Sequence, residues 1–134
     1  INLKYTTSNL GGNMEYVNLG NTDIKVSKVC LGCMSFGKAG TCMINLDEKQ
    51  TEEIVKHALD LGINFFDTAN TYSNGTSEEY LGKALKNLNV KRGDVVIASK
   101  VYFNEGRLSK EAIFREIDST LKRLQTDYLD LYII

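Results

Sequence analysis

Four short runs that are almost entirely apolar, VCLGCMSF, INFFDTA, DVVIASKV and DYLDLYII, recur along the chain, and each gap between them holds one segment with helical periodicity. Strands that are apolar at nearly every position are covered on both faces, which calls for a parallel sheet whose crossover helices do the covering. LDEKQTEEIVKHALDLG aligns Ile54, Val55, Ala58 and Leu59 in one stripe; Asp47 is its predicted N-cap, and Gln50 completes a capping box. TSEEYLGKALKNL is predicted to start on Thr76, with Glu79 three residues on, and to bury Leu81, Ala84, Leu85 and Leu88. LSKEAIFREIDSTLKRL is predicted to start on Ser109 and to bury Ile113, Ile117, Leu121 and Leu124. Before the first run, EYVNL, the turn GNTD and IKV read as a β-hairpin. The predicted order after it is βαβαβαβ, an α/β fold.

This pattern fits an open doubly wound sheet and part of a (β/α)₈ barrel equally well. The first strand lacks a G-x-G-x-x-G dinucleotide fingerprint, and GCMSFG from Gly32 to Gly37 has the wrong glycine spacing, which weakens the doubly wound reading. At 134 residues there is material for one core. With 16 Lys and Arg against 17 Asp and Glu, interspersed, the chain has no field to attract nucleic acid or anionic lipid. It has no apolar run long enough to span a bilayer and no signal-peptide core, so a cytoplasmic protein is expected. Cys30, Cys33 and Cys42, an odd set, suit reduced thiols. Residues 1–13 are polar and glycine-rich and are expected to be a leader or expression remnant, leaving 14–134 as the folded unit.

In α/β proteins functional groups gather where strands end and loops to helices begin. Asp67 ends the second apolar run, Tyr72 lies in the loop after it, and Lys100 ends the third. A phenol is ordinarily too weak an acid to exchange protons efficiently near neutrality; an ammonium beside it favours the phenolate, and a carboxylate holds that ammonium in place. Asp67 is therefore expected to position Lys100, and Lys100 to tune Tyr72. Taken singly, each has a plain structural reading as turn, packing or solvated residue.

Other candidates read as structural. His57 lies inside the first helix, at its surface or boundary. Cys30-x-x-Cys33 has the spacing of a redox or zinc pair, but strand residues three apart face opposite sides and no second ligand pair exists, so packing is expected and no metal site. Glu78 and Glu79 sit in a helix first turn, where negative charge suits the dipole, and are expected to cap it. Asp130, an acid inside an apolar strand, is expected to have a structural partner such as an arginine.

GINFFDTANTY, the following GTSEEYLG, VVIASK and YLDLYII together resemble the aldo-keto reductase superfamily, in particular the bacterial reductases that also resemble potassium-channel β subunits. The likeness runs from Met14 to Ile134. It implies the first half of a (β/α)₈ TIM barrel with an N-terminal β-hairpin, NADPH as cofactor, a small-molecule carbonyl as substrate, and a catalytic tetrad of Asp, Tyr, Lys and His. Asp67, Tyr72 and Lys100 match the first three members. Gly32, Cys33 and Met34 would border the nicotinamide, and Asp67 would contact its ribose. The tetrad histidine would follow Ile134 directly, so an N-terminal portion of a reductase is expected. The alternative is a truncated, non-catalytic half-barrel that self-associates or binds a partner through the open edges VCLGCMSF and YLDLYII.

Overall fold

The computed structural model describes residues 14–38 and 45–134. The expected leader, residues 1–13, and Cys42 lie outside the described residues. The hairpin forms as β1 (Tyr16–Asn18) and β2 (Lys25–Ser27), antiparallel, with Val17 opposite Val26. It closes the end of the molecule where the next strands begin. Asn64 accepts the Ser27 N–H at 2.7 Å and donates to the Lys25 carbonyl at 3.0 Å, and the Tyr16 hydroxyl donates to the Gly62 carbonyl at 2.7 Å.

The main sheet contains β3 (Cys30–Gly32), β4 (Phe65–Asp67), β5 (Val96–Lys100) and β6 (Leu131–Ile133), all parallel and in sequential order. Between them run α1 (Glu48–Asp60), α2 (Thr76–Asn87) and α3 (Lys110–Leu124). A doubly wound sheet would reverse its strand order and carry helices on both faces. Here the order never reverses. Phe66 and Ile97, register partners, enter one core with Val55 and Ala58 of α1 and Leu81, Ala84 and Leu85 of α2. This winding is that of a barrel wall and resolves the ambiguity the sequence pattern left. Among the described residues no helix is long and apolar enough to cross a membrane.

The helix caps are instructive. Asp47 and Gln50 form the expected reciprocal box on α1, and the Ser109 hydroxyl accepts the Ala112 N–H on α3. Thr76 does not cap α2. Gly75, at φ 90°, occupies the cap position, while the Thr76 hydroxyl donates to the Ser73 carbonyl at 2.7 Å. The chain arrives at α2 through a left-handed turn that a threonine would resist. VCLGCMSF is also less strand than expected: β3 ends at Gly32, with the Cys33 N–H making the last bond to β4 on the Asp67 carbonyl, and Cys33 to Phe36 form a turn.

On α3 the buried positions are Ala112, Thr120 and Leu124; Ile113, Ile117 and Leu121 are only half-buried. The helix buries the face of Ala112, Thr120 and Leu124 more deeply than the face its isoleucines suggest. α2 and α3 cross closely at Gly82, where a Cβ would come within 2.5 Å of the Leu124 carbonyl oxygen.

Candidate active site

Asp67 and Lys100 belong to one face of the sheet by register. Asp67 pairs with Ala98, and Lys100 lies two residues beyond Ala98 on the same side of β5. The loop leaving β4 stays alongside β5, held by the Thr68 N–H on the Ala98 carbonyl at 2.9 Å and the Asn70 N–H on the Lys100 carbonyl at 3.2 Å. It ends in a 3-10 turn, Tyr72–Gly75, in which Ser73 and Asn74 adopt φ 49° and 54°. Left-handed backbone at two consecutive non-glycine residues costs about 1 kcal/mol or more each. The turn is held from behind by Gly37, where a Cβ would overlap Thr76 Oγ1 and Ser73 Cβ.

This arrangement brings the three predicted residues together. Lys100 Nζ donates to Asp67 Oδ2 at 2.8 Å, to the Thr68 carbonyl at 2.8 Å and to Tyr72 Oη at 3.3 Å. An ammonium has three hydrogens, and all three are placed. Tyr72 Oη therefore accepts from the lysine, and its own proton is left for another acceptor. The Asp67–Lys100 pair is about 30% exposed on each side, reachable by a ligand yet shielded from bulk water. Burial pulls the Lys100 pKa down, but the hydrogen bonds to Asp67 and Tyr72 outweigh it and leave the value raised, so the ammonium form is secure. The Thr68 carbonyl is a member of the cluster that sequence reasoning missed, since backbone acceptors leave no mark in residue type.

Beside the phenol lies a cleft of 190 Å³ whose walls include Tyr102, Phe103, Val101 and Ile133 and whose polar end is Tyr72 and Lys100. Larger hollows of 480 and 270 Å³ lie among the helices, one with a rim of lysines and glutamates, and neither includes any member of this cluster.

Gly32 is the register partner of Asp67, and the space its missing side chain would fill is open. Met34 is 43% exposed. Cys33, placed by sequence reasoning with these two, is fully buried in the core; its N–H is bonded to the Asp67 carbonyl and its carbonyl accepts from Ser77. It presents no surface to a ligand. Cys30 lies on the face of Gly32 and Asp67 and is exposed there; partial burial, then the Asp67 charge, push its thiol up to about 11, with Lys100 pulling the other way.

The remaining candidates separate from this cluster. His57 is an exposed residue in the last turn of α1. Asp130 has the expected arginine: Arg92 Nη2 donates to it at 2.6 Å, and the same oxygen accepts the Ile97 N–H. Glu78 is not a helix-end solvent group. It is fully buried, accepting from Ser99 Oγ at 2.5 Å and from Arg123 Nε at 2.6 Å. A signal was present in the sequence, since Glu78 falls at i−3 and i−7 from Leu81 and Leu85 on the buried stripe of α2.

Comparison with known proteins agrees with the winding. The profile of the Aldo/keto reductase family matches residues 28–134. Aldo-keto reductase YhdN of Bacillus subtilis (strain 168) is 42% identical over 89% of this chain and 37% of its own length. An aldo-keto reductase from Bacillus halodurans, solved in its holo form, superposes with a TM-score of 0.72 at 39% identity, over 90% of this chain and 40% of that one. An aldo-keto reductase from Klebsiella pneumoniae, solved in complex with NADPH, superposes with a TM-score of 0.64 at 34% identity, over 81% of this chain and 34% of that one. The chain spans 36–41% of the length of the curated relatives it matches. Its four parallel strands and three helices are part of their barrel.

Proposed function

The chain belongs to the Aldo/keto reductase family, and from that membership we propose that the full-length protein reduces aldehydes or ketones to alcohols with NADPH. The observation that carries this reading is the hydrogen count at Lys100. Its ammonium is spent on Asp67, Thr68 and Tyr72, so the phenol keeps a proton of its own beside the cleft. NADPH, when bound, supplies a hydride to the carbonyl carbon. Tyr72 gives its proton to the carbonyl oxygen, and Lys100, 3.3 Å away, stabilises the phenolate left behind. Asp67 keeps the ammonium in place. Apolar walls on the cleft suit carbonyls with apolar substituents.

The residues present fit the nicotinamide end of such a cofactor. The open space over Gly32 and the exposed Met34 offer a flat apolar seat. Asp67 engages Lys100 through Oδ2, so its other carboxylate oxygen is available to accept from a ribose hydroxyl. The choice of NADPH rests on the Klebsiella pneumoniae relative and on the family. The test is aldehyde-dependent oxidation of NADPH by the full-length protein. Tyr72→Phe is expected to lower turnover by about 10²–10⁴-fold while cofactor binding, followed by fluorescence, is retained. Turnover near that of the unaltered protein would remove Tyr72 from the mechanism.

A further inference from the structure

Asn70 lies two residues before Tyr72, in the wall of the cleft, and is only 8% exposed. A side-chain amide withdrawn from water and left unpaired costs about 1–3 kcal/mol, so its partners matter. Both of its donor hydrogens leave the loop that carries it. One goes to Glu116 Oε2 on α3 at 2.9 Å, the other to Asn104 Oδ1 in the segment between β5 and α3 at 3.3 Å. Asn104 uses its own amide to hold the Glu105 and Arg107 carbonyls at 3.3 and 3.0 Å, and Arg115 of α3 holds the Glu105 carbonyl at 2.6 Å.

This bracket matters because of what the same segment carries. Tyr102 and Phe103, edge to face with ring centroids 5.0 Å apart, contribute the aromatic side of the cleft. They are 42% and 79% exposed, so burial in the core does not hold them. Apolar packing fixes Phe66 or Ile97; it cannot fix Phe103. Backbone bonds fix the wall only at its root, through the Asn70 N–H on the Lys100 carbonyl and the Val101 N–H on the Ile133 carbonyl; beyond Val101 the side-chain bracket from Asn70 to Asn104 and Glu116 ties it to the loop bearing Tyr72, with Arg107 lying 5.0 Å from the Tyr102 ring.

We propose that Asn70 is a positioning residue that holds the 101–108 segment so that Tyr102 and Phe103 bound the cleft beside Tyr72, and that it thereby sets the preference for bulky over small carbonyl substrates. The substrate half of this inference rests on the reductase reading above; the tether itself does not. Asn70→Asp replaces two donors with a carboxylate facing Glu116 Oε2 and Asn104 Oδ1, converting attraction into repulsion. Adding Glu116→Gln to Asn70→Asp restores the link to α3 with donor and acceptor exchanged. Glu116→Gln alone keeps an acceptor for Asn70.

In the full-length protein, amide hydrogen exchange over 101–108 is expected to quicken in Asn70→Asp and return toward the unaltered rate in the double variant. KM for a naphthaldehyde is expected to rise about tenfold in Asn70→Asp, with that for propanal little changed, and to recover in the double variant. If Asn70→Asp does not fold, Asn70→Ala removes the tether without repulsion and is read the same way. Unaltered exchange in the single variant, an equal KM change for both aldehydes, or no recovery in the double variant would overturn the proposal. A full-length protein without carbonyl reduction would defeat the reductase reading and the substrate half with it; exchange would still decide the tether.

Discussion

Ser99 and Lys100 are consecutive residues of β5, and each anchors an ion cluster, on opposite faces of the sheet. On the helix side, Ser99 Oγ and Arg123 occupy both oxygens of Glu78, with Ser99 and Glu78 fully buried and Thr120 Oγ1 accepting from Arg123 at 3.3 Å. On the other side, Lys100 meets Asp67, Thr68 and Tyr72, about a third open. Both clusters satisfy their charges. They differ in access and in spare valence: on the helix side the carboxylate is fully buried with both oxygens committed and only the Arg123 guanidinium reaches a surface, whereas the open cluster retains a phenolic proton and a carboxylate oxygen. Charge placement alone does not make a site; an unspent hydrogen beside a cleft does.

Breaking the open cluster should change chemistry and leave stability nearly intact. Lys100→Met is expected to reduce turnover of the full-length protein by roughly 10²–10³-fold, because the phenolate loses its countercharge. Its thermal midpoint should move little, since partly exposed ion pairs contribute about 0–1 kcal/mol. Steady-state kinetics and a thermal melt on the same sample check both halves.

The helix-side cluster should behave in reverse. Arg123→Met strands Glu78 in the core and is expected to destabilise the fold by about 3–5 kcal/mol, read by denaturant titration. Turnover per folded molecule should be preserved. A large kinetic defect with an unaltered midpoint would erase the distinction between the two faces.

The smallest effect concerns Cys30, on the open face beside Asp67. A pKa raised to about 11 leaves little thiolate at pH 8, and the greater nucleophilicity of that thiolate offsets only part of the loss. Alkylation by iodoacetamide, followed by peptide mass spectrometry, should be about tenfold slower than for an ordinary cysteine. It should accelerate with pH until near 11. A fast, pH-flat reaction would show that Cys30 is neither desolvated nor opposed by the Asp67 charge.

Much of this was legible in the sequence. The four apolar runs yielded the parallel strands because burial on both faces leaves no alternation to misread, and Asp47, Gln50 and Ser109 announced two helix starts. Asp67, Tyr72 and Lys100 were visible because strand ends are where side chains escape the core. What was not legible depended on backbone path or tertiary partners. Thr76 had the chemistry of a cap, but Gly75 took that position because the turn needed φ 90°. Glu78 was read as a dipole partner, although its place on the Leu81 stripe meant burial and hence a countercharge. Cys33 was assigned to the nicotinamide on the family resemblance, which carries no information on which way a side chain points; the turn after Gly32 leaves Cys33 buried in the core.

In the proposed reduction one carbonyl receives a hydride from NADPH and a proton from Tyr72. Incubating the full-length protein with NADPH deuterated at C4, in separate 4R and 4S forms, and benzaldehyde, then analysing the alcohol by mass spectrometry, tests it most directly. One deuterium is expected in benzyl alcohol from one of the two labelled forms, with Tyr72→Phe slowing its appearance by the same factor as turnover. Benzyl alcohol free of deuterium from both forms, or no alcohol while NADPH is bound, would contradict it.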